Sequence, residues 1–496
     1  MSTTSTTTTN RTRPAPILEV SEASSGMERN RYSRTVAMDV VGLGDIAAVI
    51  AGTFLPASIF HAVGELALSW PQVLQSGLLG GFVAHLWLRN AGYYDTSRVH
   101  DLPHGVMHLL TAIAIAVAVV TGIGMPLEKL YGHIFVWYVA WVSASFTLIL
   151  VSRGIAHAAL ARLTKEGKFD RNIAVFGAGA ISRRVHDRLK QDANAIHFVG
   201  VYDDRIGDER IDTEGLEIRG KLDDLLAAAY EGIIDDIVVA LPQGADNRAS
   251  AIVRKLEQAP CNVHIVTHIA SELVPSRTTL HVSQIGDVGL LDVKERALSD
   301  WAPMVKRIED IAIAALGLII AVPILLVSAI LIKLEDNGPV FFLQRRRGLN
   351  RRVIEIVKLR TLKASDSDDK VRQVTIGDGR VTRIGRFLRR TSIDELPQLW
   401  NVLKGEMSIV GPRPHALIHD EQFGTMLEEY ANRHQVKPGI TGLAQVKGLR
   451  GETRTVEQIK DRVEQDVAYV KSWSLWLDLQ IIAKTLIIVS TGKNAH

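Results

Sequence analysis

The run KRIEDIAIAALGLIIAVPILLVSAILIK, from Lys306 to Lys333, is apolar over a length that suits a bilayer, which takes ~20 such residues to cross. Lys306 and Arg307 precede its apolar part, and Lys333 and the triplet Arg345, Arg346 and Arg347 follow it. Basic residues on both flanks fit a segment whose two ends lie on one face of the membrane. Pro323, at the middle, offers no N–H and is expected to break the helix there. The reading is a helix–break–helix over residues 308–333 that dips into the cytoplasmic leaflet and returns. A plain crossing would put the basic C-terminal part outside the cell, against the charge rule.

On the N-terminal side, residues 36–154 carry four apolar stretches near 37–58, 66–88, 105–124 and 133–152, read as four transmembrane helices. Arg11, Arg13, Arg29, Arg31 and Arg34 precede them, Arg89 and Arg98 fill the second connection, and Arg153, Arg162 and Lys165 follow the fourth. Both ends of the block therefore face the cytoplasm. Asp39 and Asp45 lie in the first span; an intramembrane carboxylate is a functional candidate, set against an interfacial Asp39 and an Asp45 bonded to neighbouring helices. Residues 1–35, rich in Thr, Ser and Arg, read as a disordered tail without a signal-peptide core. Residues 155–170 read as a linker.

Residues 171–300 alternate short apolar strands with helical stretches. Asn172–Phe176, Ala195–Tyr202, Ile233–Leu241 and Asn262–Val266 predict a Rossmann-like parallel sheet. The fold class expected is thus a membrane protein of α and α/β parts, whose last domain, 301–496, carries the re-entrant helix. The chain's 496 residues are enough for such a plan. Hydrophobic residues at 47% exclude a disordered chain, and a net charge of +3 is too small to argue for nucleic acid. One cysteine, Cys261, allows no internal disulfide.

Three motifs compete for the chemistry. Gly177-x-Gly179 follows a strand and opens a helix, as a dinucleotide site requires, and Asp203 stands where a ribose-binding acid would. Ser182 takes the third glycine's place, however, and no Tyr is followed four residues later by Lys. A Rossmann shell without catalysis is the reading. Cys261, His264 and His268, or His100, His104 and His108, have ligand-like spacing; side chains three apart on a strand diverge, and Pro103 and Gly105 make a continuous helix doubtful.

The dense site lies between Arg383 and Pro414. Arg383, Arg386, Arg389 and Arg390 precede Ser392-Ile-Asp394-Glu395-Leu-Pro397-Gln398, and Gly411-Pro-Arg413-Pro414 follows. Ser392 can cap a helix whose first turn holds Asp394. Cations and a positive helix end keep a carboxylate ionised and attract phosphate, which suits Asp394 as a nucleophile toward phosphorus. Glu395 could help hold Mg2+, and Arg389 and Arg413 could fork onto phosphate oxygens. A charged surface helix is the bland alternative. Lys437-Pro-Gly439-Ile-Thr441-Gly442-Leu-Ala-Gln445 reads equally as a phosphate-contacting turn or a structural loop. Near the C-terminus, Trp473, Trp476, Leu477, Leu479, Ile481, Ile482, Leu486 and Ile487 suit either an interfacial or a core helix.

These residues resemble the polyprenyl-phosphate hexose-1-phosphate transferases, the large bacterial sugar transferases. The matching pieces are Lys306-Arg307-x-x-Asp310, Pro323, Gly338-Pro-Val-Phe-Phe342 with Gln344 and Arg346, Lys358-Leu-Arg360-Thr361, Asp394 to Gln398, Ser408 to Pro414, and Lys437 to Gln445. Leu359 departs from the aromatic residue common in that Lys-x-Arg-Thr motif. The resemblance implies transfer of a hexose 1-phosphate, glucose or else galactose, from a UDP-hexose to undecaprenyl phosphate in the bacterial cytoplasmic membrane, releasing UMP. It implies a covalent intermediate on Asp394, Mg2+ at Glu395, and phosphate or substrate contacts from Arg389, Arg413, Lys358, Arg360, Lys437, Thr441 and Gln445. Lys306, Arg307 and Asp310 would meet lipid headgroups, and Pro323 would make the re-entrant bend. The partners expected are the two substrates and the bilayer, with a homodimer admitted and nucleic acid not. The competing readings are a membrane-anchored NAD-dependent nucleotide-sugar enzyme and a non-enzymatic scaffold of polysaccharide export.

Overall fold

The computed structural model describes residues 33–64, 69–94, 102–124, 133–191, 196–205, 216, 218–241, 246–266, 282–285, 288–363, 378–449 and 455–491. The chain divides into two compact units, Met1–Phe169 and Asp170–His496. In the first, four helices form: α1 (Arg34–Ala62), α2 (Trp70–Asn90), α3 (Leu102–Gly124) and α4 (His133–Lys165). Pro71 in the first turn of α2 and the Gln72 side chain, which accepts from the Ser69 N–H at 2.9 Å, start that helix cleanly. Small residues bring the helices together: a Cβ on Gly52 would lie 2.7 Å from Ser145 Cα, and one on Gly80 would lie 2.8 Å from the Trp141 ring.

Asp45 of α1 is buried and tied to Arg153 of α4 at 2.6 Å and to the Tyr94 hydroxyl at 2.9 Å. Arg153 also covers the Tyr93 ring at 4.1 Å. Asp45 is therefore an interhelical tie. Helix α4 runs on to Lys165, so most of the stretch expected as a linker is helix; its Ala-Ala-Leu-Ala-Arg-Leu sequence favours that state until Gly167, at φ +67°. Among the expected tail residues, Arg34 already begins α1, and 1–32 lie outside the described residues, as does His268.

The second unit opens with β1 (Arg171–Phe176), α5 (Ala180–Gln191), β2 (Ile196–Tyr202), β3 (Ile218–Gly220), α6 (Leu222–Tyr230), β4 (Asp236–Val239), α7 (Asp246–Leu256), β5 (Asn262–Val266), β6 (Val282–Ile285) and β7 (Val288–Lys294). They make one sheet in the order β3-β2-β1-β4-β5-β7-β6. The first five are parallel, as expected, while β7 joins β5 and β6 antiparallel and extends the edge.

Next comes α8 (Ala302–Glu335), followed by the hairpin β8 (Phe341–Arg347) and β9 (Val353–Leu359), then α9 (Arg383–Arg390), a 3-10 turn (Ile393–Glu395), α10 (Gln398–Lys404) and β10 (Ser408–Val410). The chain closes with α11 (Leu417–Met426), β11 (Gly439–Thr441), α12 (Leu443–Val446), α13 (Val456–Lys471) and α14 (Leu475–Thr491).

Helix α8 is continuous through Pro323, which corrects the expected break. The ring removes one hydrogen bond, but Ile, Leu and Val on both sides give the freed carbonyl no water to turn to, so the helix carries on. One narrow stripe of α8, Lys306, Asp310, Ala314, Ala321, Ser328 and Ile332, is buried against the rest of the domain. Leu316, Ile319, Leu326, Ile330 and Leu334 stay exposed, as does Pro323. Among the described residues α1, α4 and α8 are long and apolar enough to cross a membrane.

Lys306, Arg307 and Asp310 point into the domain rather than toward lipid headgroups. Lys306 Nζ meets Asp478 at 2.8 Å and Asp310 at 3.2 Å, and Asp310 accepts from Ser408 Oγ and the Ile409 N–H, both at 2.9 Å. Tyr469 and Trp473 donate to the same Asp478 at 2.9 Å. Arg307 donates to the Val402 and Leu403 carbonyls at 2.7 Å and so caps α10. At the other end of α8, Arg360 holds Asp336 at 3.3 Å, and Glu335 accepts from the first two N–H groups of α9 at 2.7 and 2.9 Å.

Strands β10 and β11 approach too closely for any side chain at their glycines. A Cβ on Gly439 would lie 2.1 Å from Gly411 N, and one on Gly442 would lie 2.3 Å from Gly411 O. Gly439→Ala is expected to cost about 1–3 kcal/mol or more, because backbone cannot yield as a side-chain tip can. A wild-type melting temperature for that variant in thermal denaturation would contradict the packing described.

Candidate active site

The turn that carries Asp394 and Glu395 is built by its neighbours. Thr382 caps α9 by accepting from the Gly385 N–H at 2.9 Å, and Gly385 lets that helix lie against the Thr361 carbonyl, 2.3 Å from where a Cβ would stand. After Arg390 the chain turns through Ser392, at φ +57°, into the 3-10 turn. Ser392 makes no side-chain cap there, contrary to expectation, because its left-handed backbone is not the extended one a cap uses.

The two adjacent carboxylates then part company. Glu395 is buried, and its Oε1 meets Lys358 Nζ at 2.9 Å and Arg413 Nη2 at 2.6 Å, while Oε2 faces Arg413 Nη1 at 3.2 Å. Asp394, half-buried, makes no hydrogen bond or ion pair among the described residues. Burial and the neighbouring Glu395 charge push its carboxyl up to about 6, against the pull of Lys358, Arg389 and Arg413. Asp394 is thus mostly ionised at neutral pH yet more basic than an ordinary aspartate, because Lys358 and Arg413 are committed to Glu395. What remains is a carboxylate more basic than usual and unpaired among the described residues, which suits a nucleophile.

Longer-range ties hold the cations. Asn401 of α10 accepts from the Val357 N–H at 3.0 Å and donates to the Glu355 carbonyl at 2.7 Å, fixing β9 beside Lys358. Arg433 donates to the Arg413 carbonyl at 2.5 Å and pairs with Asp466 at 2.8 Å, both of them buried. Sequence reasoning missed Asn401, Arg433 and Asp466; their partners are distant in the chain and no local pattern marks them.

The structure brings Asp394, Glu395, Lys358 and Arg413 together, with the exposed Arg389 close enough for its charge to act on Asp394. The other expected contacts lie elsewhere. Arg360 serves Asp336, Thr441 shares a hydrogen bond with Thr485 of α14 at 2.7 Å, and Gln445 donates to the Ile440 carbonyl at 3.3 Å. Lys437 Nζ and the Arg307 guanidinium both lie 3.5 Å from where a Gly405 Cβ would be, at the C-terminus of α10.

A resident Mg2+ does not fit these residues. Both Glu395 oxygens already face cations, and among the described residues no three His, Cys, Asp or Glu side chains converge. An ion that arrives on a diphosphate needs only one or two protein oxygens, a smaller demand that Asp394, outside the Glu395 clamp, can meet.

In the Rossmann-like domain the candidate ribose-binding acid already has partners. Asp203 accepts from the Ala178 N–H at 2.9 Å and pairs with Arg205 at 2.8 Å and Arg248 at 3.1 Å. Burial would raise its carboxyl, but Arg205 and the N–H groups of Ala178 and Arg205 hold it well below the usual range. The Ser182 hydroxyl donates to the Gly177 carbonyl, filling the space a third glycine would leave. His264 lies between Asp292, at 2.5 Å, and Asp236, at 3.2 Å.

Helix α14 packs with one side and leaves the other bare: Asp478 and Ile481 are buried, while Trp476, Leu479, Leu486 and Ile487 are exposed.

Residues 301–492 match the bacterial sugar transferase family, and residues 89–267 match a CoA-binding domain. The chain is 39% identical over 363 residues to a UDP-glucose:undecaprenyl-phosphate glucose-1-phosphate transferase of Klebsiella pneumoniae, covering 73% of this chain and 76% of that protein. It is 32% identical over 481 residues to an undecaprenyl-phosphate glucose phosphotransferase of Komagataeibacter xylinus, covering 94% and 86%. A UDP-N-acetylgalactosamine-undecaprenyl-phosphate N-acetylgalactosaminephosphotransferase of Aeromonas hydrophila is 39% identical over 226 residues, 44% of this chain and 53% of that protein. Similarity that runs from the helical block through to the carboxylate pair settles the relationship: the chain belongs to the polyprenyl-phosphate hexose-1-phosphate transferase family.

Proposed function

We propose that the chain transfers glucose 1-phosphate from UDP-glucose to undecaprenyl phosphate, as the opening step of a polysaccharide repeat unit. Glucose is favoured over other sugars because the long matches, at 73% and 94% of the chain, are to glucose enzymes. The observation that carries the mechanism is the free Asp394 beside a clamped Glu395. Asp394 Oδ attacks the β-phosphorus of UDP-glucose, the bond to the bridging oxygen breaks, and UMP leaves with the electron pair. A phosphate oxygen of the lipid then attacks the same phosphorus, freeing Asp394 and leaving a lipid diphosphate sugar. Lys358 and Arg413, positioned by Glu395, and Arg389 at the rim offset the negative charge of the diphosphate. Magnesium enters as the counter-ion of UDP-glucose.

The helix placement supports a membrane-surface reaction. Straight, α8 would be about 50 Å long, yet its two ends, at Lys306 and at Glu335, are both held by the same domain. A helix fastened at both ends to one domain lies on that domain's side of the membrane rather than carrying the domain across. The exposed apolar side of α8, with Trp476 and Leu486 of α14, faces lipid, and the basic flanks favour the cytoplasmic face of the inner membrane. The four-helix block is read as four crossings with both ends in the cytoplasm.

Purified protein with UDP-glucose, magnesium and undecaprenyl phosphate should release UMP. Asp394→Asn should abolish release while melting higher than wild type at pH 7, since an ionised Asp394 costs stability that Asn does not; the gain should shrink as pH falls from 6 toward 4. Equal UMP release by the variant would overturn the assignment. In the wild type, the rate of UMP release without acceptor should fall roughly tenfold between pH 7 and pH 5, because protonation through about 6 removes the nucleophile. A flat profile would contradict a nucleophile that titrates there. Chelation should stop turnover, while calorimetry of the protein with magnesium alone should show no tight binding; a tight site without substrate would contradict the substrate-borne ion.

A further inference from the structure

One cation beside the carboxylate pair has no role in the account so far. Strands β8 and β9 pair with Phe342 opposite Lys358, Gln344 opposite Ile356 and Arg346 opposite Ile354. Arg346 and Gln344 therefore share a sheet face with Lys358, which meets Glu395. Arg346 also bridges through its backbone to Ala416, three residues beyond Arg413. It stands where the two segments that supply the Glu395 cations come together.

Its partner is not an acid. The half-buried Arg346 guanidinium donates to Gln344 Oε1 at 2.6 Å, and among the described residues no carboxylate pairs with it. The next residue, Arg347, shows the ordinary alternative, since it reaches Asp420 at 3.2 Å and Glu421 at 3.4 Å. Burial and the neighbouring Arg413 pull Arg346 down to about 10, against Glu395. Placing a guanidinium beside another one, with only a neutral amide to orient it, is costly unless an anion arrives. Lys358, Arg413 and Arg346 already exceed Asp394 and Glu395 by one positive charge, before the exposed Arg389 is added. That surplus suits a diphosphate or phosphate oxyanion read through a planar fork.

We propose that Arg346, aimed by Gln344, binds a phosphate oxyanion of substrate at the Asp394 site. The inference deepens the transferase reading and rests on it. Two sources share the chemistry, the donor diphosphate and the lipid phosphate, and two probes separate them.

The test titrates the full-length protein in detergent with inorganic pyrophosphate and, separately, with a short-chain polyprenyl phosphate. Arg346→Gln should weaken one of the two by roughly 10- to 100-fold, the worth of one charge-assisted hydrogen bond, at an unchanged melting temperature. Loss for pyrophosphate assigns Arg346 to the donor, and loss for the lipid analogue assigns it to the acceptor. Arg346→Lys should recover part of the affinity, and it carries the test if Arg346→Gln does not fold. Affinities within twofold of wild type for both probes, wild type that binds neither, or a loss that tracks a lowered melting temperature in both variants would overturn the proposal. UMP release by the wild type, measured in parallel, keeps the two readings apart: its absence would sink the transferase mechanism, while an unchanged affinity would sink only the role of Arg346.

Discussion

Glu395 takes Lys358 on one oxygen and Arg413 across both, and the arrangement of the candidate site follows from that clamp. Two cations on one buried carboxylate are partly neutralised and fixed in direction, so they are positioned without being free to pair with Asp394. The adjacent carboxylate is left with burial and a like charge as its dominant influences, and its basicity rises. A pair of acids side by side in sequence thus acquires two roles from environment alone, one holding the cations and one available to react. Asn401 and Arg433 extend the clamp outward by fixing the strand and loop that carry Lys358 and Arg413.

A second polar knot sets where this site lies. Lys306, Asp310 and Asp478 bind α8, α14 and the start of β10 together, and Glu335 and Arg360 fasten the far end of α8. A removed partner in such a buried group leaves an uncompensated charge, so the helix is held in one register. On the proposed reading, an apolar helix that lies along the catalytic domain keeps the domain at the membrane surface. That is where a phosphate on a lipid and a sugar nucleotide from water can be served in turn.

Much of this was legible in the sequence. The strands β1, β2, β4 and β5 follow from their short apolar runs, α8 from its apolar length, and the Asp394–Glu395 site from arginines gathered around an acidic pair. What was not legible is direction. Lys306, Arg307, Asp310, Arg360 and Thr441 were read as facing lipid or substrate, but each turns to a partner that periodicity does not reveal, such as Asp478 for Lys306 and Thr485 for Thr441. The cations near Asp394 could be counted from sequence but not allocated, so its raised basicity was not foreseen. Pro323 failed to break its helix because local propensity yields where no water competes for the backbone.

The division of labour between the two acids is tested most directly by incubating the protein with UDP-glucose in the absence of lipid acceptor and mapping the modified peptide by mass spectrometry. A hexose phosphate on Asp394, with Glu395 unmodified and the adduct discharged when undecaprenyl phosphate is added, is the expected result. An adduct on Glu395, or UMP release in the presence of acceptor with no adduct at any stage, would contradict it.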